Sequence, residues 1–128
     1  MILLDTHALI WWVDRPTALG RRALRAIDGA SALGVSAISF WEVATLVRRG
    51  RLVLDRPVAE WVDAVLALPL VEEVPVSARI ATRAGAFGED FQGDPADRLI
   101  AATALVAGVR LVTKDERLRK NPLLETVW

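Results

Sequence analysis

The chain has no cysteine and a single histidine, His7. The first absence excludes disulfides, thiolate metal sites and a cysteine nucleophile. The second excludes a histidine-rich metal site. Net charge is missing too: 16 basic residues balance 16 acidic ones, which is not the strongly basic composition of a stand-alone nucleic-acid binder. No apolar run approaches the roughly 18 residues of a membrane span. The short apolar run before Asp5 has no basic flank of the signal-peptide kind. These absences set the expectation of a soluble cytoplasmic protein with no membrane partner. No glycine-rich loop of the GxxxxGKS or GxxxxGKT form is present, so P-loop nucleotide hydrolysis is excluded. Repeats, low-complexity tracts and linkers are also absent.

What is present fits one domain over residues 1–128, with 53% hydrophobic residues to build its core. Residues 2–5 read as a short buried strand, followed by a helix from Thr6 to Val13. Thr17 reads as the cap of a second helix running to about Asp28, with Gly29 at its C′ position. Leu33 to Ser36 is a second strand. Ser39-Phe40-Trp41-Glu42 has the form of a capping box opening a helix that ends near Gly50. Pro57 suits the first position of the next helix. Val71 to Val74 is a third strand, and Ser77 caps a helix to about Phe87. Residues 88–93 form a loop. Asp94 then caps a helix that begins at Pro95 and runs to about Gly108. Leu111 to Thr113 is a fourth strand, followed by a charged helical turn, and Thr126 to Trp128 offers a fifth. Strands alternating with helices predict an α/β fold around a parallel sheet of four to five strands.

Four acidic residues mark one end of these elements. Asp5 closes the first strand, Glu42 lies in the first turn of the helix after the second, Asp97 lies in the first turn after Asp94-Pro95, and Asp115 follows the fourth strand. In an open parallel sheet, strand ends and the following helix starts gather at one edge, where ligands bind. Taken singly, each acid has an ordinary reading as a cap or as a complement to a helix dipole. Taken together, they would repel one another unless a positive partner held them, and a hard divalent cation suits oxygen ligands. Glu42 and Asp97 also sit among apolar neighbours, where an unpaired carboxylate is costly. Basic residues cluster at Arg15, Arg21, Arg22 and Arg25, at Arg48, Arg49 and Arg51, and at Lys114, Arg117, Arg119 and Lys120. A basic rim around an acidic centre is consistent with a nucleic-acid substrate. Trp11, Trp12, Trp41 and Trp61 serve as core or as an apolar groove for a protein partner.

Four ordered blocks resemble a known family. Met1-Ile2-Leu3-Leu4-Asp5-Thr6-His7-Ala8-Leu9-Ile10-Trp11-Trp12 resembles the opening of VapC-type toxins of the PIN-domain ribonuclease family. Val35-Ser36-Ala37-Ile38-Ser39-Phe40-Trp41-Glu42-Val43, with Arg48-Arg49-Gly50-Arg51-Leu52, is similar to their second block. Asp94-Pro95-Ala96-Asp97-Arg98-Leu99-Ile100-Ala101-Ala102-Thr103-Ala104 is similar to the third, Leu111-Val112-Thr113-Lys114-Asp115 to the fourth, and Val127-Trp128 ends the chain much as relatives end. The resemblance implies a three-layer α/β/α PIN-like fold and a Mg²⁺- or Mn²⁺-dependent endoribonuclease. It implies Asp5, Glu42, Asp97 and Asp115 as the catalytic and metal-binding acids, with Thr6, Thr113 and Asp94 in support. His7, Arg48, Arg49 and Arg98 are then the candidates for contacting RNA. The resemblance further implies a homodimer and a cognate antitoxin that blocks the site.

Rival chemistries fit less well. A haloacid-dehalogenase-type phosphatase needs a second Asp two residues after Asp5, where His7 stands. A receiver domain needs a phosphoacceptor Asp after the third strand, and Val74-Pro75-Val76 has none. The alternative from another class is a non-catalytic RNA- or protein-binding module on the same scaffold, which gains nothing from converging like charges.

Overall fold

The computed structural model describes residues 1–128 and is built around β1 (Ile2–Leu4), all three of whose side chains are buried. Strands β2 (Leu33–Ser36), β3 (Val71–Val74), β4 (Leu111–Val112) and β5 (Thr126–Val127) complete a parallel sheet in the order β3-β2-β1-β4-β5. Register is set by Leu4 lying between Val35 on one side and Val112 on the other. The predicted four to five strands are five, and the predicted parallel arrangement holds.

Period-two alternation sends neighbouring strand residues to opposite faces, and the core divides accordingly. Ile2, Leu4, Leu33, Val35 and Val112 meet apolar residues of α1 (Thr6–Asp14), α2 (Arg21–Asp28), α3 (Ala37–Arg48) and α4 (Val58–Leu66). Leu3 and Leu111 meet Ile100, Ala101 and Ala104 of α6 (Pro95–Ala107) and Leu118 of α7 (Glu116–Arg119). Helix α5 (Ala78–Gly85) packs on α6 through Ile80, Ala84 and Ala102. The result is the expected α/β/α sandwich. Small residues along α6 let it approach the sheet closely. Gly34 keeps β2 uncrowded: a Cβ there would lie 3.0 Å from Met1 Sδ and 3.3 Å from a Leu3 methyl, so those side chains would have to give by a few tenths of an ångström. No helix is long and apolar enough to cross a membrane.

Local details depart from the sequence reading in four places. Thr17 does not cap a helix; it lies in a 3-10 turn, Pro16–Ala18, and α2 starts later behind Gly20. Pro16 favours that tight turn by fixing its own φ. Gly29 ends α2 in a right-handed conformation, so the left-handed freedom of glycine is not used there. Pro57 precedes α4 as its N-cap and is not the first helical residue. Ser39 and Glu42 form no capping box, because Ser36 caps α3 three residues earlier. The caps predicted at Ser77 and Asp94 are present.

Candidate active site

Each of the four acids is positioned by an element boundary. Asp5 leaves β1 and caps α1: its backbone N–H donates to the Val112 carbonyl at 3.1 Å, and its carboxylate accepts from the Ala8 N–H at 2.8 Å. Strand β2 runs straight into α3, and the Ser36 hydroxyl accepts from the Ile38 N–H at 3.2 Å. That early start puts Ser39 and Glu42 one turn apart on one helix face. Both reach the buried Thr6, whose hydroxyl makes a short contact with Glu42 Oε1 and lies 3.0 Å from Ser39 Oγ. A hydroxyl has one proton, so Thr6 donates to the carboxylate and accepts from Ser39.

Asp94 and Asp97 form a reciprocal capping box at the start of α6. The Asp97 N–H donates to Asp94 Oδ1 at 2.9 Å, and the Asp94 N–H donates to Asp97 Oδ2 at 3.1 Å. Gly93 passes close to this box, and a Cβ there would lie 2.8 Å from Asp97 Cβ. After β4, the buried Thr113 accepts from the Asp115 N–H at 3.0 Å, and Asp115 caps α7.

From β1 the chain moves to β2 and β3, then crosses back to β4 and β5 on the other side. The switch point lies between β1 and β4, the place where an open α/β sheet leaves a crevice. A cleft of about 540 Å³ opens there and is lined by Asp5, Thr6, His7, Glu42, Asp94, Asp97 and Asp115, with Trp11, Lys114 and Arg117 at its margin. A larger depression of about 660 Å³ adjoins it beyond Arg117, but only Asp90 and Glu116 supply acids there. The convergent chemistry is in the smaller cleft.

Burial raises the pKa of Asp5 above the ordinary carboxylate value, against the lowering effect of the Thr113 hydroxyl and the Ala8 N–H. Burial also raises Glu42, opposed by Thr6 and reinforced by the charge of Asp94. Asp97 is pushed up to about 7, first by burial and then by Asp94. Asp115 is held below the ordinary value by its hydrogen bonds from Arg117. Burial and mutual repulsion therefore hold these three acids against ionisation, a penalty that a cation among them would offset. All the donors are oxygens, the choice of Mg²⁺ or Mn²⁺. No three carboxylates close into a tight cage. The four acids expected as one ligand set therefore share the cleft without forming a ready-made cage.

A PIN domain model matches residues 2–123. The chain belongs to the PIN-domain family. It is 43% identical over 129 residues to Ribonuclease VapC22 of Mycobacterium tuberculosis, covering 99% of this chain and 98% of that one. Among solved structures it is similar to VapBC2 from Rickettsia felis bound to a DNA fragment from their promoter, with a TM-score of 0.73 and 19% identity over 99% of this chain and 98% of that one. FitAcB from Neisseria gonorrhoeae gives a TM-score of 0.67 and 25% identity, covering 100% of this chain and 97% of that one.

This PIN domain does not gather every residue expected to meet substrate. His7 is exposed at the cleft, its ring 5.6 Å from that of Trp11. Arg48 and Arg49 are exposed at the far end of α3, away from the cleft. Arg98 is spent on the loop before α6: its guanidinium donates to the carbonyls of Phe87 at 2.9 Å and Gly88 at 3.0 Å and lies over the Phe91 ring. Three residues of the PIN domain site were not singled out from the sequence. Ser39 was hidden by an equally good capping-box pattern. Lys114 and Arg117 were visible only as members of a basic cluster, although Arg117 stands two residues after Asp115.

Proposed function

We propose that this chain is the toxin of a type II toxin–antitoxin pair and hydrolyses RNA phosphodiester bonds as a Mg²⁺- or Mn²⁺-dependent endoribonuclease. The observation that carries this reading is the convergence of Asp5, Glu42, Asp97 and Asp115 on one sheet edge, in a chain 43% identical to a protein named Ribonuclease VapC22. Asp5, Asp97, Glu42 and Asp115 are the residues that would hold the ion. When bound, such an ion would lower the pKa of a coordinated water and act as a Lewis acid toward a phosphoryl oxygen. The protein's own part is orientation. Thr6 fixes the Glu42 carboxylate, while the Ala8 N–H and Thr113 fix Asp5. The Thr6 and Ser39 hydroxyls are engaged with each other and with Glu42 and serve to orient it, and in this reading water is the attacking group. Lys114, exposed beside Trp11, offers positive charge to the RNA backbone.

A cognate antitoxin, a homodimeric state and a cytoplasmic setting belong to the same proposal. Support for a protein partner comes from the exposed Trp41, at 59% accessibility, and Val53, at 90%. A similar fold also occurs in a toxin–antitoxin complex from Klebsiella pneumoniae, at a TM-score of 0.68 and 21% identity.

The test is cleavage of total RNA by purified protein in Mn²⁺, Mg²⁺ or EDTA. Cleavage is expected only with metal, and Asp5→Asn and Asp97→Asn are each expected to lose about 100-fold or more. Equal cleavage in EDTA overturns the metal mechanism. Absence of cleavage by folded, antitoxin-free protein under all three conditions favours the non-catalytic binding module.

A further inference from the structure

Arg117 is the second residue of α7, the short helix that Asp115 caps. Its guanidinium turns back onto the acids. Nη2 donates to Asp115 Oδ2 at 2.7 Å, and Nε donates to Asp115 Oδ1 at 3.1 Å. The backbone N–H of Arg117 donates to the same Oδ1 at 2.9 Å. Nη2 also lies 3.5 Å from Asp97 Oδ2, which already accepts from the Asp94 N–H.

An ionised carboxylate offers about four lone-pair positions. Residue 117 alone uses three of those on Asp115 and one on Asp97. A cation that takes oxygens from both acids must compete with this arginine. Exchange is structurally accessible, because the Arg117 side chain is 48% exposed. A released guanidinium also has a destination: Arg117 lines the neighbouring depression beside Arg83 and Lys120. A guanidinium is a forked donor suited to phosphate.

We propose that Arg117 is a tethered counter-cation of this centre, competing with the divalent ion for Asp115 and Asp97 and swinging outward, toward backbone phosphate, when the ion binds. The inference rests on the metal-site reading above and deepens it, because it assigns the regulation of that site to a residue of the chain itself. It also revises the role of Asp115, which becomes the acid whose availability to metal is controlled.

The experiment is calorimetric titration of Mn²⁺ into the full-length wild-type protein, Arg117→Gln, Arg117→Lys and Asp5→Asn, with circular dichroism confirming the fold of each. Arg117→Gln is expected to bind Mn²⁺ about tenfold more tightly than wild type, the scale of the repulsion between single and double charges roughly 5 Å apart in a water-like medium. Arg117→Lys keeps the charge but cannot make the fork, so it is expected to bind a few-fold more tightly. Asp5→Asn is expected to bind far more weakly. Wild-type binding with Arg117→Gln equal or weaker overturns the inference and leaves the metal site standing. If Arg117→Gln does not fold, Arg117→Lys decides in the same way. No Mn²⁺ binding by wild type or by either arginine variant overturns both readings.

Discussion

Thr6 makes the most demanding contact in the cleft, because one hydroxyl serves both Glu42 and Ser39. Thr6→Val keeps the shape and removes the hydroxyl. It leaves a carboxylate oxygen and a buried Ser39 hydroxyl without their partner, a loss of about 1–3 kcal/mol. A Tm several degrees below wild type is expected in thermal unfolding, together with reduced RNA cleavage as Glu42 loses its orientation. An unchanged Tm would mean that water replaces the hydroxyl at no cost. At this scale the acids were legible in the sequence because each stands at an element boundary with an apolar run on one side. Their second partners were not. Ser39 follows a pattern with two structural solutions, and only the position of the preceding cap chooses between them. The use of Arg117 depends on the orientation of a four-residue helix, which no periodicity encodes. Arg98 misleads for the opposite reason: its place beside Asp97 suggests substrate, but the Ala84 carbonyl of α5 and the loop carbonyls of Phe87 and Gly88 are within reach of its guanidinium and take it.

At the scale of elements, strong boundary signals were read correctly and crowded ones were not. The start of α6 carries Asp94, Pro95 and Asp97, which agree with one another, and Gly108 closes the helix in a left-handed conformation at φ +67°. The segment around Thr17 offers a serviceable cap, but Pro16 and the following residues close a tight turn first. The helix–strand junction near Gly20 was also silent in the sequence. A Cβ on Gly20 would stand 2.8 Å from the Trp128 backbone carbon and 2.9 Å from its ring. Backbone cannot yield as a flexible side chain can. Gly20→Ala is therefore expected to push the chain's last residue away from α2 and to cost about 1–3 kcal/mol, the usual scale of overpacking. Thermal unfolding is the measurement, with Gly29→Ala as the control, since a Cβ at Gly29 meets only the Arg25 carbonyl at an ordinary 3.4 Å.

For the whole molecule, the cleft sets how stability responds to pH. The raised acids, Asp5, Glu42 and Asp97, stabilise the fold fully below the ordinary value of about 4 and lose that contribution as pH rises through their folded values. For Asp97 that value is about 7. Asp115 acts in the opposite sense, stabilising above its ordinary value and losing this in acid, so it contributes no slope near neutrality. In EDTA the Tm is expected to fall between pH 5 and 8, and Asp97→Asn is expected to flatten that slope. Millimolar Mn²⁺, binding the ionised native form, is expected to raise the Tm most at the alkaline end. A Tm in EDTA that rises across this range would contradict the electrostatics of the cleft. The sheet order has a consequence in time. The central strand β1 precedes β2 and β3 in the chain, while its other partner β4 and the Asp115 that follows it come after both. Strands β1, β2 and β3 are all made before β4, so they can pair while the chain is still growing on the ribosome, but the crevice between β1 and β4 cannot exist until β4 has been made. An incomplete chain therefore carries Asp5, Glu42 and even Asp97 without a working centre, and a nascent nuclease remains inert toward the RNA around it.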